Sequence, residues 1–129
     1  MASEESKITL KGLKLCEKSP LVNRMFRTQS GLVRVKGGGM LHLCPKGTPD
    51  TYGFMNDGRI IAIEYKTPDA FMNKKNCGAS DEQIEHLLAI INAGGLAGLA
   101  CDVSHVELII HGAPIGLEHF LAIQDNREL

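Results

Sequence analysis

The clearest periodicity in the chain lies between residues 80 and 91. Ile84, Leu87, Leu88 and Ile91 recur there at i, i+3, i+4 and i+7, the single apolar stripe of a surface helix. Ser80-Asp81-Glu82-Gln83 ahead of the stripe has the form of a capping box, in which Ser reaches forward and Gln reaches back to the first unpaired N–H groups. Ala93-Gly94-Gly95 stops the helix. The six residues 96–101, Leu-Ala-Gly-Leu-Ala-Cys, are then apolar throughout, as in a strand buried on both faces. A strand before this helix and a buried strand after it predict a right-handed parallel crossover.

That earlier strand is equally legible. Residues 51–55 and 59–66 flank Asn56-Asp57-Gly58, residue types that tolerate positive φ, so the pattern predicts a β-hairpin. Further upstream, Ser19-Pro20 reads as the start of a helix over 20–29, with Leu21, Met25 and Phe26 inward and Arg24 and Arg27 outward. Ser30-Gly31 would end it, and residues 32–36 alternate as a strand before the flexible turn Gly37-Gly38-Gly39. Residues 1–10 read as loose and polar, and 67–79 as an exposed loop. Ser104 to Glu107 has the form of a second capping box, and 117–124 of a last short helix. The expected fold is α/β: a mixed β-sheet, antiparallel in its hairpin region and extended by a parallel crossover strand, flanked by helices. No internal repeat is present.

Composition adds bounds. The chain has 129 residues, of which 43% are apolar and 22% charged, which predicts one globular domain spanning 1–129. No run of about 20 apolar residues is present to cross a bilayer, and the acidic N-terminus lacks a signal-peptide core, so the expectation is a cytoplasmic protein without a membrane partner. Cys16, Cys44, Cys77 and Cys101 are too widely spaced for a zinc knuckle or redox pair and are expected to be free thiols. The five histidines, 42, 86, 105, 111 and 119, show no ligand spacing either. Net charge is −1, but thirteen Lys and Arg against seven Asp and Glu fall in residues 1–78, and one against eight in 79–129. Such a split allows one basic face to follow a phosphate backbone, through Arg34, Lys36, Lys46, Lys74 and Lys75.

The hairpin carries the chemistry. Asp50 enters its first strand directly after Gly47-Thr48-Pro49, and Glu64 and Lys66 stand two apart on the second, on one face. A Glu and a Lys at the end of the apolar run 60–63 are costly to desolvate, and a cation shared by Asp50 and Glu64 offsets that cost. Hard divalent ions take such carboxylates together with a carbonyl, here that of Tyr65, and activate water and phosphate. Lys66 then orients the attacking water or stabilises charge on the phosphate. Gln83 is accounted for by its capping box, yet it also stands at the margin of the sheet-facing stripe; Glu82 and His86 are expected to point outward.

The series Gly47-Thr48-Pro49-Asp50, Glu64-Tyr65-Lys66 and Gln83 at a helix start resembles the PD-(D/E)XK nucleases. More narrowly, it resembles the virus-type replication–repair nuclease (VRR-NUC) domain over about residues 19–110. The resemblance implies a restriction-endonuclease-like core, dependence on Mg²⁺ or Mn²⁺, and phosphodiester hydrolysis on DNA by Asp50, Glu64, Lys66 and Gln83. It also implies a Holliday junction resolvase-like homodimer, because a four-way junction needs paired incisions. Many relatives add a glutamate from the first helix. The helix expected over 20–29 has none, so either Glu17, just ahead of its cap, substitutes, or the site relies on Asp50, Glu64, Gln83 and water. The alternatives in function are a nicking, flap or general DNA nuclease, and a catalytically silent DNA-binding module of the same fold.

Overall fold

The computed structural model describes residues 3–28, 32–42 and 44–128, without the side chains of 32–34, 40–42, 127 and 128. The chain opens with helix α1, Glu4–Lys18, where a loose segment was expected. Ser3 is its N-cap, with the side chain accepting from Ser6 N at 3.1 Å, and Glu4 and Glu5 suit the positive end of the helix. Its inner face carries Ile8, Thr9, Gly12, Leu15 and Cys16. A Cβ at Gly12 would fall inside the phenol of Tyr65, so only glycine lets α1 approach this closely.

Ser19 closes α1 instead of opening the next helix. Its N–H donates to Cys16 O and Leu15 O, and Pro20 follows as prolines often follow helix ends. The predicted helix over 20–29 is therefore a strand, β1, Val22–Arg27. It pairs antiparallel with β4, Thr51–Met55, with a bulge at Asn23. Gln29, Ser30 and Gly31 lie outside the described residues.

Strands β2, Leu32–Arg34, and β3, Met40–His42, form a separate two-stranded ribbon, so the stretch expected as one strand ends at Arg34 and the glycine turn leads back on itself. The β-hairpin of β4 and β5, Ile60–Tyr65, forms as expected, with Gly58 at φ +91° in its turn. After β5 comes a short helix, α2, Pro68–Asn73, capped by Thr67, then a 3₁₀ turn over Lys75–Gly78. Both replace the expected loop; Thr67-Pro68 is itself a helix start. Helix α3, Asp81–Asn92, has the full capping box. Its buried stripe is Ile84, Leu87 and Ile90, with Leu88 and Ile91 at the margin. Strand β6, Leu96–Ala100, pairs parallel to β5.

Helix α4, Val103–Ile110, starts earlier than expected because Asp102, not Ser104, is its N-cap. Helix α5, Glu118–Glu128, follows. The main sheet runs β1-β4-β5-β6, antiparallel except for β5-β6, and has helices on both faces. This is the mixed α/β arrangement expected, consistent with a restriction-endonuclease-like core.

Alternate residues of the central strand face opposite cores. Ile61, Ile63 and Tyr65 join Cys16, Val22, Met55 and the inner face of α4. Ala62 faces α3 with Leu87, Ala97 and Leu99. Fully burying an Ile or Leu is worth about 1.5–3 kcal/mol each. The core also takes Thr9 and Cys16 from α1 and Leu117 beyond α4, so it is wider than 19–110. Among the described residues, no helix is long and apolar enough to cross a membrane.

Candidate functional site

Glu64 is the buried exception in the central strand. It is only 2% exposed and lies on the α3 face, one position before the end of β5. Its carboxyl is raised well above the ordinary carboxylate range, first by burial, then by the charge of Asp50 and a hydrogen bond to it, with Glu5 adding to the rise and Lys66 opposing it. Asp50 reaches this point from the first turn into β4. Its Oδ2 accepts from Tyr65 N at 2.9 Å, which extends the hairpin by one bond made with a side chain. In an extended strand the N–H and C=O of a residue share a side, so the Tyr65 carbonyl is on the Asp50 edge as well. Lys66 is half-buried, and its backbone N–H continues the parallel ladder by donating to Ala100 O at 2.9 Å.

Gln83 connects these groups. Its Oε1 accepts from Ser80 N at 2.9 Å, the return half of the capping box, and from Lys66 Nζ at 3.1 Å. Its Nε2 donates to Glu64 Oε1 at 3.1 Å. The two readings of Gln83 from sequence are thus compatible: one amide caps the helix and ties Glu64 to Lys66. Of its neighbours, Glu82 is exposed as expected, whereas His86 is half-buried. Glu82 pairs with Lys46 at 3.5 Å, and His86 Nε2 lies 2.8 Å from the Tyr52 hydroxyl in a half-buried contact.

The carboxylate of α1 that lies near Asp50 is Glu5. Its position on the inner edge of α1 follows from the correction to the helix itself, and no sequence motif marks it. Burial and the nearby charge of Asp50 raise its carboxyl, and Lys66 partly offsets that rise. Glu17 does not join the site. It lies twelve residues further along the same helix, ~18 Å by the helical rise, beside Leu13, Cys16 and Val22. A sequence signal for α1 existed in Ser3 followed by Glu4 and Glu5, a cap with an acidic first turn.

The donors fit a hard divalent cation. Asp50, Glu64, Glu5 and the Tyr65 carbonyl offer oxygen only, and the raised Glu64 carboxyl reflects the cost of ionising it beside Asp50 without a cation. The three carboxylates do not close as a set to within 4.8 Å.

Cys101, Asp102 and His105 do come that close, but helix capping explains them. Asp102 Oδ1 accepts from Ser104 N, the Ser104 hydroxyl and His105 N, and His105 Nδ1 accepts from Cys101 N at 3.1 Å. Burial and Asp102 raise the Cys101 thiol. Among the described residues the four cysteines are free, as expected.

Of the basic residues read as phosphate contacts, Lys36, Lys46, Lys74 and Lys75 are exposed. Lys74 and Lys75 follow α2 on the connection from β5 to α3, the two elements that carry Glu64, Lys66 and Gln83. Lys46 packs over the first turn of α3, where its exposed pairing with Glu82 is weak. The Arg34 side chain lies outside the described residues. No protein-family model matches the chain, and no curated protein matches it.

Proposed function

We propose that the chain is a divalent-metal-dependent DNA endonuclease of the PD-(D/E)XK type, related to the virus-type replication–repair nucleases. The observation that carries this reading is the buried Glu64 carboxylate, held against Asp50 and tied through Gln83 to Lys66. A protein has little structural use for a carboxylate pair at the end of a central strand unless a cation relieves it. Asp50, Glu64 and the Tyr65 carbonyl would hold Mg²⁺ or Mn²⁺, with Glu5 near Asp50. When bound, such an ion supplies Lewis-acid activation of a phosphodiester and of the attacking water.

The protein groups divide the remaining work. Gln83 fixes the carboxylate oxygen it donates to and, through its own Oε1, the direction of the Lys66 ammonium. Lys66 then faces developing negative charge on the phosphate, or the water that attacks it, with no reorganisation at the moment of reaction. Lys74, Lys75 and Lys36 are free to contact flanking phosphates.

Junction selectivity and a homodimer complete the proposal. A chain of net charge −1 binds duplex DNA weakly alone, and a two-fold assembly that brings two basic halves together improves it. Glu5, a helix carboxylate near Asp50, supports the catalytic reading over a silent binding module. The test is cleavage of an end-labelled four-way junction beside a matched linear duplex, with Mg²⁺, Mn²⁺ or EDTA. Paired, symmetric, metal-dependent cuts in the junction alone, lost in Asp50→Ala, are expected. Binding without cleavage in every metal would sink the catalytic reading.

A further inference from the structure

The face of the main sheet that carries Glu64 is covered by α3 only over β5, β6 and part of β4. On the uncovered part, the register places Arg24 opposite Phe54 and Phe26 opposite Tyr52. Phe26 and Phe54 are therefore diagonal neighbours on one face, close enough for their rings to form a continuous surface. They are 54% and 44% exposed, and Ile60 beside them is 46% exposed. Within this sheet Tyr52 and Met25 are half-buried and Val22, Met55, Ile61 and Ile63 buried, so Phe26, Phe54 and Ile60 form the open apolar part of the face, available to something outside the fold. A groove of about 550 Å³ continues the surface toward α3, floored by Tyr52, Ile60 and Ile90 and walled by His86 and Ala89.

The charge on this face selects the occupant. Along β1, β4 and β5 the side chains on this side are Arg24, Phe26, Tyr52, Phe54, Ile60 and Ala62, none acidic until Asp50 and Glu64 at its far end. Asp57 in the hairpin turn is already paired with Arg59 at 2.8 Å. Arg24 stands opposite Phe54 and beside Phe26, so one cation borders two flat rings, a pairing that suits a phosphate flanked by unpaired bases. Asp50, Tyr52 and Phe54 share the face at two-residue spacing, so Phe54 is ~13 Å from Asp50 along the strand. That is about the length of two nucleotides.

We infer that this face is a stacking platform for an unpaired nucleic-acid strand, which enters the Asp50–Glu64 site across Phe54 and Phe26. The inference rests on the nuclease reading and narrows its substrate to strands whose bases are splayed next to the cut. The test uses the whole chain in EDTA, with fluorescence anisotropy of a labelled thymidine oligonucleotide and of a matched duplex at fixed salt. Phe26→Ala and Phe54→Ala are each expected to weaken oligonucleotide binding by about 5- to 100-fold, with Phe54→Trp restoring it and duplex binding changing less than about 2-fold. Arg24→Ala is expected to weaken binding and to reduce its salt dependence. Both phenylalanines are surface residues, so the variants are expected to fold, which circular dichroism checks. Unchanged oligonucleotide binding would overturn the inference. So would conversion of a dimer to a monomer by Phe26→Ala or Phe54→Ala, because the face would then be an interface between copies. A chain that binds through these rings and cuts no substrate supports the platform and overturns the nuclease reading instead.

Discussion

Gln83 Nε2 donates to Glu64 Oε1 at 3.1 Å, so the buried carboxylate is oriented from the first turn of a neighbouring helix. The opposite end of the same amide holds Lys66. Orientation of the acid and of the base therefore depends on one rotamer, and that rotamer is locked by the Ser80 backbone.

This relationship separates capping from catalysis. Gln83→Glu keeps a capping-box acceptor at the third helical position but loses the donor to Glu64. Its thermal midpoint is expected to stay within a few degrees of the parent, while cleavage falls by about 10- to 100-fold, a typical cost of losing a group that orients a metal ligand. Gln83→Ala is expected to lose both, with about 1 kcal/mol of stability gone with the cap. Thermal melts beside single-turnover cleavage make the comparison. Equal cleavage by the parent and Gln83→Glu would show that the amide has only a structural role.

Glu64→Gln is expected to stabilise the metal-free protein. The folded-state pKa of Glu64 lies above its unfolded value, so between the two the folded chain binds more protons than the unfolded one. Stability linked to this group is fully present below the unfolded value near 4.5 and declines as pH rises toward the folded value of about 9. Replacing it by the neutral amide removes that decline, at a gain of at least about 1 kcal/mol at pH 8. Urea denaturation at pH 5 and pH 8 in EDTA tests this. A parent chain whose stability does not fall over that range would contradict the assignment.

Glu5 and Glu17 lie on one helix, Glu5 half-buried near Asp50 and Glu17 exposed at the far end, which makes them a useful comparison. Glu5→Gln is expected to raise the Mg²⁺ concentration needed for half-maximal cleavage by about 10-fold or more. Glu17→Gln should leave the titration unchanged. Equal effects from both variants would indicate a general charge effect in place of a site.

Gly12→Ala should reverse the usual helix trend. In an exposed helix interior the change gains about 1 kcal/mol. Here the added methyl meets the Tyr65 ring, so α1 must shift or the ring must move, at a cost of about 1–3 kcal/mol. Denaturant midpoints decide the sign, and the Mg²⁺ titration should weaken with it because α1 carries Glu5.

The parts of the fold that were legible from sequence are those with local signals. The hairpin had its Asn56-Asp57-Gly58 turn, and α3 had both a cap and an apolar stripe, so Asp50, Glu64, Lys66 and Gln83 could be brought together on paper. Helix α1 was missed although Ile8, Leu15 and Cys16 share its inner face, because Thr9 and Gly12 between them break the apolar stripe and lysines surround it. Ser19-Pro20 was read in the wrong direction, as the same pair can close one helix or open another. Both errors concealed Glu5, which is 45 positions before Asp50 and reaches it only through the packing of α1. The exposure of Phe26 was equally hidden, because a residue assigned to the inner stripe of a helix is on the open face of an edge strand.

The capping of α3 by the same oxygen that holds Lys66 has a thermal consequence. Helix ends open at a far smaller free-energy cost than the body of a domain, and both Glu5 and Gln83 sit in first turns. Opening of either turn dismantles the constellation while the sheet remains intact. Loss of competence on warming should therefore precede loss of the fold, and the amide protons of Ser80 and Gln83 should exchange with solvent sooner than those of Ile61 and Ile63.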